Sequence, residues 1–170
     1  MPDYLKFETE RLWLRPTTLE DAAFIYELMN TPQWKAFIGD RKIHTVEAAE
    51  AYIKVRMFPQ LKRLGYGNYA VIRKSDGVKL GTCGLYDREG LEGVDIGFAF
   101  LPEYFGQGYA FEAAQEILRA AQQEFGIKQI KGITAKDNMA SQKLLKKLGL
   151  KNQGTIQLPD DDEELLLFQL

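Results

Sequence analysis

The stretch VDIGFAFLPEYFGQGYAFEA, Val94–Ala113, contains a strand, a glycine turn and the start of a helix in direct succession. Val94–Leu101 is the most strand-like run of the chain, and a Gly-x-Gly turn at Gly106–Gly108 follows it. A helix is predicted from about Ala110 to Phe125, and a further short strand at Ile130–Thr134. A strand, a helix and a second strand in this order predict a crossover whose two strands are parallel neighbours.

The remaining elements surround this crossover and predict a mixed α/β layer structure. Their order is β-α-α-β-β-β-α-β-α-β-β, without a linker or an internal repeat. The other predicted strands are Arg11–Arg15, Tyr69–Ile72, Val78–Tyr86, Thr155–Leu158 and Leu165–Leu170. Three more helices are predicted: one begins after the N-cap Thr18, one runs from Val46 to about Leu64, and one contains Ser141–Leu148. Pro59 is expected to kink or end the second of these.

Composition excludes several classes of protein. The chain has 170 residues, of which 45% are hydrophobic, and a net charge of −2, which gives no basic field for nucleic acid or an anionic membrane. Its single cysteine, Cys83, precludes an internal disulfide, and its single histidine, His44, excludes His-rich metal chemistry. No apolar run reaches the roughly 18 residues of a membrane span, and the opening lacks a signal-peptide pattern. A soluble cytoplasmic protein is expected.

The two glycines before the central helix, Gly106 and Gly108, indicate an anion site. Backbone N–H groups in the first turn of a helix are unpaired and carry the positive end of its dipole, and glycine lets a phosphate approach them. A tight strand-to-helix turn alone would explain the same glycines equally well. A dinucleotide fingerprint is excluded because Phe111 stands where a third small residue is needed, and no Walker A sequence occurs.

Gly97 interrupts the central strand two residues after Asp95. A glycine inside a strand is typical of a bulge or of a place where another backbone approaches closely. Strand alternation puts Asp95 and Gly97 on one face and Ile96 on the other. Asp95 is therefore a candidate reactive carboxylate, with a solvated carboxylate near a strand start as the alternative.

A second helix start lies one crossover after the glycine turn. Asp137 and Asn138 follow the strand Ile130–Thr134, and N-capping alone would explain them. The two helix starts are expected to flank the ends of two parallel strands, which is a common position for a ligand.

Four segments together carry a family resemblance: ETERLWLRPTTLEDA, GTCGLYDREG, VDIGFAFLPEYFGQGYAFEA and ITAKDNMASQKLLKKLGLKNQGT. They cover nearly the whole chain and resemble the GNAT superfamily of acetyl-CoA-dependent N-acetyltransferases, most of all its ribosomal-protein N-terminal (Rim-type) branch. The resemblance implies a single GNAT domain over residues 1–170. Its sheet would have about six or seven mostly antiparallel strands with one central parallel pair, flanked by about four helices. It also implies acetyl-CoA as co-substrate, with no metal.

The resemblance also implies where the cofactor binds. Family members hold the CoA pyrophosphate on a Q/R-x-x-G-x-G/A loop, which matches residues 103–108, with Glu103 in the first position. Residues 96–101 are similar to the strand that pairs with the pantetheine amides and polarises the thioester carbonyl, and Asn138 matches an asparagine beside the pantetheine arm. The implied cofactor-binding residues are Phe98, Ala99, Phe100, Leu101, Phe105, Gly106, Gln107, Gly108, Tyr109, Ala110, Asn138 and Ser141.

The catalytic residues implied by the resemblance are Asp95 and Ser141. Asp95 matches a position where family members often carry a glutamate that deprotonates the amine through water, and the shorter aspartate favours a water relay. The usual tyrosine acid would stand at Leu145, so the nearby Ser141 hydroxyl is the candidate to steady the thiolate. Helix packing or capping explains Ser141 equally well. His44 is an alternative base because its ordinary pKa is near 6.5, although a loop histidine is usually a surface residue.

The predicted function is transfer of an acetyl group to a primary amine by direct attack, with a protein N-terminal α-amine favoured. A small amine (polyamine, aminoglycoside or amino acid) and a non-catalytic acyl-CoA-binding module are the alternatives. Cys83 is expected to be a buried structural thiol. The acidic run Asp160–Glu164 is expected to be a solvated turn, with attraction of a cationic acceptor as the alternative. The chain is expected to be a monomer or a homodimer.

Overall fold

A single eight-stranded sheet forms the centre of the computed structural model, which describes residues 3–159 and 161–170. The strands are β1 (Phe7–Glu8), β2 (Leu12–Pro16), β3 (Asn68–Arg73), β4 (Lys79–Tyr86), β5 (Val94–Phe100), β6 (Ile130–Thr134), β7 (Lys151–Ile156) and β8 (Leu165–Gln169). They are ordered β1-β2-β3-β4-β5-β6-β8-β7, and every neighbouring pair is antiparallel except β5 and β6. The predicted fold class and its central parallel pair are confirmed. The eighth strand is the two-residue β1, which is too short to show a periodicity.

Six helices cover the two faces of the sheet: α1 (Ala22–Met29), α2 (Pro32–Phe37), α3 (Val46–Tyr52), α4 (Phe58–Leu64), α5 (Tyr109–Gln123) and α6 (Met139–Lys147). The short α2 was not predicted, although Thr31 caps it and Pro32 occupies its first turn. A π-helical segment, Ile53–Met57, joins α3 to α4. Pro59 lies in the first turn of α4, where no backbone N–H is needed, so the helical path continues past it.

Two hydrophobic clusters fill the space between the sheet and these helices. One contains side chains of α5 and α6 with the β-sheet face that carries Val71 and Ile96, and the predicted α5 stripe of Ala113, Ile117, Ala120 and Ala121 is fully buried in it. The other joins α1 and α3 to Leu101 at the end of β5. Each face of β5 therefore contacts a different helical layer, and alternate β5 side chains enter different layers.

The last hairpin differs from its predicted bounds. The strand expected at Thr155–Leu158 is β7, Lys151–Ile156, at the edge of the sheet. Its side chains are mostly exposed, so it has no apolar alternation that would mark its start in the sequence. Across residues 3–159 and 161–170, no helix is both long and apolar enough to span a membrane.

Candidate active site

The parallel strands β5 and β6 separate near their beginnings. They pair at only two positions, Val94 with Ile130 and Asp95 with Lys131. Both strands continue beyond this point, to Phe100 and Thr134. A gap therefore opens between their carboxyl-terminal halves, at the position where the sequence predicts a ligand.

The backbone of β5 directs alternate residues toward this gap. The N–H of Val94 donates to the carbonyl of Gln129, just before β6, at 2.9 Å. At the other end, the N–H of Leu101 donates to the carbonyl of Leu80 on β4, also at 2.9 Å. Successive strand residues direct their backbone N–H and C=O groups to opposite neighbouring strands. The backbone groups of even-numbered β5 residues therefore point toward β6, and those of odd-numbered residues point toward β4.

The free edge of β5 consequently offers the backbone groups of Phe98 and Phe100, which lie beyond the last pair of the β5–β6 ladder. An extended ligand with amide groups can bind such an edge as an added strand would. Ala99 and Leu101 are also predicted as cofactor contacts, but Ala99 pairs with Thr82 of β4. Leu101 donates its N–H to Leu80, and its carbonyl accepts the N–H of Tyr104 at 3.0 Å. Within residues 96–101, the stretch similar to the strand that polarises the thioester carbonyl, the Phe98 N–H is the first backbone donor beyond the ladder that faces the gap.

The glycine turn and α5 begin beside the end of β5. Gly106 and Gly108 have φ values of +74° and +83°, which glycine adopts without steric cost. The first helical bond runs from the N–H of Glu112 to the carbonyl of Gly108 at 3.1 Å, so the N–H groups of residues 108–111 form the unpaired first turn. A Cβ on Gly106 would meet no atom within 4 Å. An open, unpaired helix start of this kind is the geometry that an anion site requires.

The other predicted residues of the turn have distinct environments. Phe105 and Gln107 are exposed, and the Gln107 amide donates to the carbonyl of Glu103 at 3.0 Å. The Tyr109 side chain is buried in the core, and Ala110 is half-buried. An anion-binding turn uses backbone N–H groups, so the different environments of these side chains do not affect that role.

Asp95 lies where the two strands part, with a side chain that is 3% exposed. One carboxylate oxygen accepts from Nε of Arg88 at 2.6 Å, and the other accepts from the N–H of Ile133 at 3.3 Å. Burial raises the pKa of Asp95 above its ordinary value, although Arg88 and the Ile133 N–H oppose that effect. A buried carboxyl with a raised pKa is suited to accepting a proton.

The hydrogen bond from Ile133 also explains where the ladder ends. On β6, the backbone of Lys131 pairs toward β5, and the next N–H on the same side belongs to Ile133. The side chain of Asp95 accepts this N–H in place of the β5 backbone. The same residue therefore ends the strand pairing and brings a carboxylate to the start of the gap.

Of the two alternatives that the sequence leaves open for Gly97, a bulge and a close approach, the bulge is wrong. The pairing of β4 with β5 is continuous from Gly81 to Tyr86 and includes Gly84 opposite Gly97. A Cβ on Gly97 would lie 2.8 Å from Cε2 of Tyr86. The glycine is required because the ring of Tyr86, from the same chain, crosses the strand at this point.

The start of α6 lies across the gap from the glycine turn. The side chain of Asn138 caps this helix and accepts the N–H of Ser141 at 3.2 Å, as the capping alternative predicted. Ser141 is half-buried in the first turn. Leu145, at the position of the family's tyrosine, is buried and packs on Gly132, where a Cβ would lie 2.6 Å from Leu145 Cδ2.

The remaining candidate residues differ in exposure and in their contacts. His44 is exposed in the segment before α3. Cys83 is fully buried, as predicted, and burial raises the pKa of its thiol. Residues 161–164 lie in the connection between β7 and β8 and are largely exposed, with Glu164 paired to Lys136 at 2.5 Å. Asp160, which begins the predicted acidic run, lies outside the described residues.

Arg88, which binds the Asp95 carboxylate, is not predicted by any pattern in the sequence. It lies in the connection between β4 and β5, and its guanidinium carbon is 5.2 Å from the centre of the Tyr86 ring. The hairpin register pairs Tyr86 with Asp95, so a residue just past the end of β4 can fold back onto that carboxylate. The register of the β4–β5 hairpin could have predicted this contact, because Arg88 lies only two residues beyond Tyr86, the partner of Asp95.

Comparisons with known proteins agree with this fold. The family model for the acetyltransferase (GNAT) domain matches residues 11–151. The uncharacterized N-acetyltransferase YnaD of Bacillus subtilis is 27% identical over 146 residues, covering 86% of this chain and 82% of that protein. An acetyltransferase from Agrobacterium tumefaciens superposes with a TM-score of 0.84 at 18% identity, covering 100% of this chain and 96% of its own. RimL, a ribosomal alpha-N-protein acetyltransferase in complex with coenzyme A, gives 0.78 at 16% identity, covering 95% and 94%.

Proposed function

The chain belongs to the GNAT family of acetyltransferases, and on this premise we propose that it transfers an acetyl group from acetyl-CoA to a primary amine, with a protein N-terminal α-amine as the favoured acceptor. The observation that carries the proposal is the gap between β5 and β6. Its edge offers the backbone of Phe98, the unpaired helix start at residues 108–111 lies at one end, and Asp95 lies at the other.

The backbone of the chain does most of the binding in this proposal. The N–H groups of residues 106–110 hold the pyrophosphate of acetyl-CoA, since the predicted N–H of Phe105 already donates to the carbonyl of Pro102. The free edge of β5 pairs with the pantetheine amides. The Phe98 N–H donates to the thioester carbonyl oxygen as negative charge develops there, and Asn138 borders the pantetheine arm. Alignment of two substrates in one gap replaces a bimolecular encounter and supplies much of the rate.

Asp95 and Ser141 handle the protons. The amine nitrogen attacks the carbonyl carbon, its proton passes through a water to the Asp95 carboxylate, and the carbon–sulfur bond breaks to release the CoA thiolate. The Ser141 hydroxyl donates a hydrogen bond to that thiolate. An α-amine has an ordinary pKa near 7.7–8.0, so much more of it is neutral at pH 7 than of a lysine side chain near 10.4. A weak, relayed base therefore suits an α-amine.

Acidic side chains around the gap support a cationic acceptor. The β4–β5 and β7–β8 connections meet where Gly90 packs against Pro159, since a Cβ on Gly90 would lie 2.4 Å from Pro159 Cδ. Arg88 reaches Asp95 from the first of these connections. Asp87 and Glu164 are paired with Arg63 and Lys136, and the other acidic residues that the structure describes there are Glu89, Glu92, Asp161, Asp162 and Glu163. Negative charge on both connections would draw a protonated amine toward Asp95.

Thermal unfolding with separate additions of acetyl-CoA, CoA, ATP and NAD tests the cofactor. At a hundred times its dissociation constant, a ligand that binds only the native state adds about 2.7 kcal/mol. For a chain of this length each kcal/mol raises Tm by about 2–4 °C, so acetyl-CoA and CoA should each give a shift of about 5–11 °C. Shifts with ATP or NAD and none with CoA would reject the proposal.

Thiol release from acetyl-CoA then tests the acceptor. A short peptide with a free N-terminus, the same peptide N-acetylated but carrying one lysine, and a polyamine are compared at equal concentration. The free N-terminus should react fastest. Preference for the polyamine would move the function to small-molecule acetylation, and binding of CoA without turnover on any amine would favour a non-catalytic module.

A further inference from the structure

Arg11 lies behind the glycine turn, immediately before β2. Its Nη1 donates to the carbonyl of Gln107 at 3.1 Å, and its guanidinium carbon is 4.2 Å from the centre of the Tyr109 ring. A Cβ on Gly108 would come within 3.3 Å of Arg11 Nη2. One guanidinium therefore contacts three consecutive residues of the turn, although almost a hundred residues of chain separate them.

Glu112, in the first turn of α5, fixes the other side of Arg11. The Nε of Arg11 donates to one Glu112 oxygen at 2.7 Å, and the Arg11 backbone N–H donates to the other at 2.9 Å. The Thr9 hydroxyl also donates to that second oxygen, at 2.5 Å. Burial by itself raises the pKa of Glu112, but the hydrogen bonds from Thr9 and Arg11 lower it, so the carboxylate stays charged. The guanidinium is thus held in one orientation.

The contact with Gln107 determines where the next N–H points. In a trans peptide the C=O of one residue and the N–H of the next point in opposite directions. With the Gln107 carbonyl bound to Arg11, the Gly108 N–H points away from Arg11, and residues 106–108 are exposed there. Glycine on both sides of Gln107 would otherwise let this peptide turn over at little cost.

We propose that Arg11 is a positioning residue that selects the peptide orientation in which the Gly108 N–H faces a phosphate group. The inference rests on the proposed function, since it takes the pyrophosphate of CoA as the ligand of the turn. A donor fixed before the ligand arrives does not have to be ordered by it, so affinity is gained without a direct contact between Arg11 and the ligand.

Arg11→Gln tests this role, and the same helix offers a matched control. Arg119 pairs with Glu116 further along α5 at 2.6 Å, with side chains 38% and 16% exposed, against 40% and 20% for Arg11 and Glu112. Arg119→Gln therefore removes an equivalent ion pair away from the turn. Arg11→Lys keeps a charged donor without the fork of the guanidinium.

Titration of ¹⁵N-labelled full-length protein with CoA and with pantetheine, which lacks the pyrophosphate, separates positioning from general damage. Arg11→Gln should weaken CoA binding about tenfold, because it removes the charge-assisted hydrogen bond to the Gln107 carbonyl that favours the binding orientation. It should leave pantetheine binding within about twofold and reduce the shift of the Gly108 amide signal on CoA binding. Arg11→Lys should recover part of the CoA affinity, and Arg119→Gln should change neither.

Two results would overturn the positioning role. If Arg11→Gln weakened CoA and pantetheine equally, Arg11 would support the whole cleft and not the turn. If wild type bound CoA and Arg11→Gln bound it equally well, the orientation of the peptide would not depend on Arg11. Absence of CoA binding by the wild-type protein is a different result, since it would overturn the proposed function together with this inference.

Discussion

Replacement of Asp95 by asparagine tests the proposed base with the smallest possible change in shape. The carboxylate is 3% exposed, lies 2.6 Å from Arg88 and accepts the N–H of Ile133 at 3.3 Å. An amide oxygen can still accept the Ile133 N–H, so the end of the β5–β6 ladder should be retained. The amide cannot take a proton from water, and its nitrogen, which would face Arg88 Nε, cannot accept that N–H as the carboxylate does.

The expected effects on rate and on stability differ by several kcal/mol. A positioned general base contributes about 10²–10⁴ in rate, which corresponds to about 3–5 kcal/mol of barrier. In the folded protein, the cost of burying the Asp95 carboxylate opposes its attraction to Arg88, whose side chain is 36% exposed. Loss of the charge should therefore change the free energy of unfolding by less than about 1 kcal/mol, a Tm shift of at most about 4 °C.

Initial rates of thiol release at saturating acetyl-CoA, from pH 5 to 9, measure the effect on catalysis. Since burial raises the pKa of Asp95, the wild-type rate should fall as the pH drops through that raised value and the carboxylate is protonated. Asp95→Asn should lose this limb together with most of its turnover. Asp87→Asn is the control, because Asp87 lies next to Arg88 in the β4–β5 connection but pairs with the exposed Arg63. Turnover of Asp95→Asn within threefold of wild type, with an intact CoA-induced Tm shift, would refute the role of Asp95.

Three further predictions concern stability and the free strand edge. Burial raises the pKa of Asp21, but hydrogen bonds from Arg15 and Lys79 lower it to about 2 from 3.8, so Asp21→Asn should cost about 2 kcal/mol at pH 7 in chemical denaturation. That difference should be complete above pH 4 and should vanish as the pH falls through about 2. Gly97→Ala should lower stability by about 1–3 kcal/mol in the same assay, because its Cβ would overlap the Tyr86 ring. Phe98→Pro removes the N–H that faces the gap and should reduce turnover by about 10²–10³, whereas Phe98→Ala, which keeps that N–H, should lose far less.

The elements that could be predicted from the sequence are those whose signals are local. The strand β5, the glycine turn and α5 follow one another within thirty residues, and each is marked by its own periodicity or turn residue. The same local rules placed Asp95 on the opposite face from Ile96, which the two core clusters confirm. They could not distinguish a bulge at Gly97 from close contact with Tyr86, because that contact comes from the neighbouring strand.

Residues that act through distant partners were less accessible. Glu112 binds Arg11 across 101 positions of the chain, and the carboxylate of Asp95 accepts the N–H of Ile133 across 38. Neither pair leaves a spacing or a periodicity in the sequence. Arg88 is intermediate, since the hairpin register alone would have placed it near Asp95. The backbone-based part of the candidate site is thus predictable from local pattern, and its charged supports require the tertiary structure.

The length of the side chain at position 95 follows from these contacts. Asp95 accepts a backbone N–H on the adjacent strand from its own place in β5, which a short side chain can reach while it still bonds Arg88. A glutamate, one methylene longer, would carry its carboxylate further into the gap and leave the Ile133 N–H to the β5 backbone or to water. In this chain the carboxylate is held at the beginning of the gap, beside the last paired residues, and in the proposed reaction a water bridges it to an amine near Phe98. The water relay of the proposed mechanism therefore follows from the same hydrogen bond that ends the ladder.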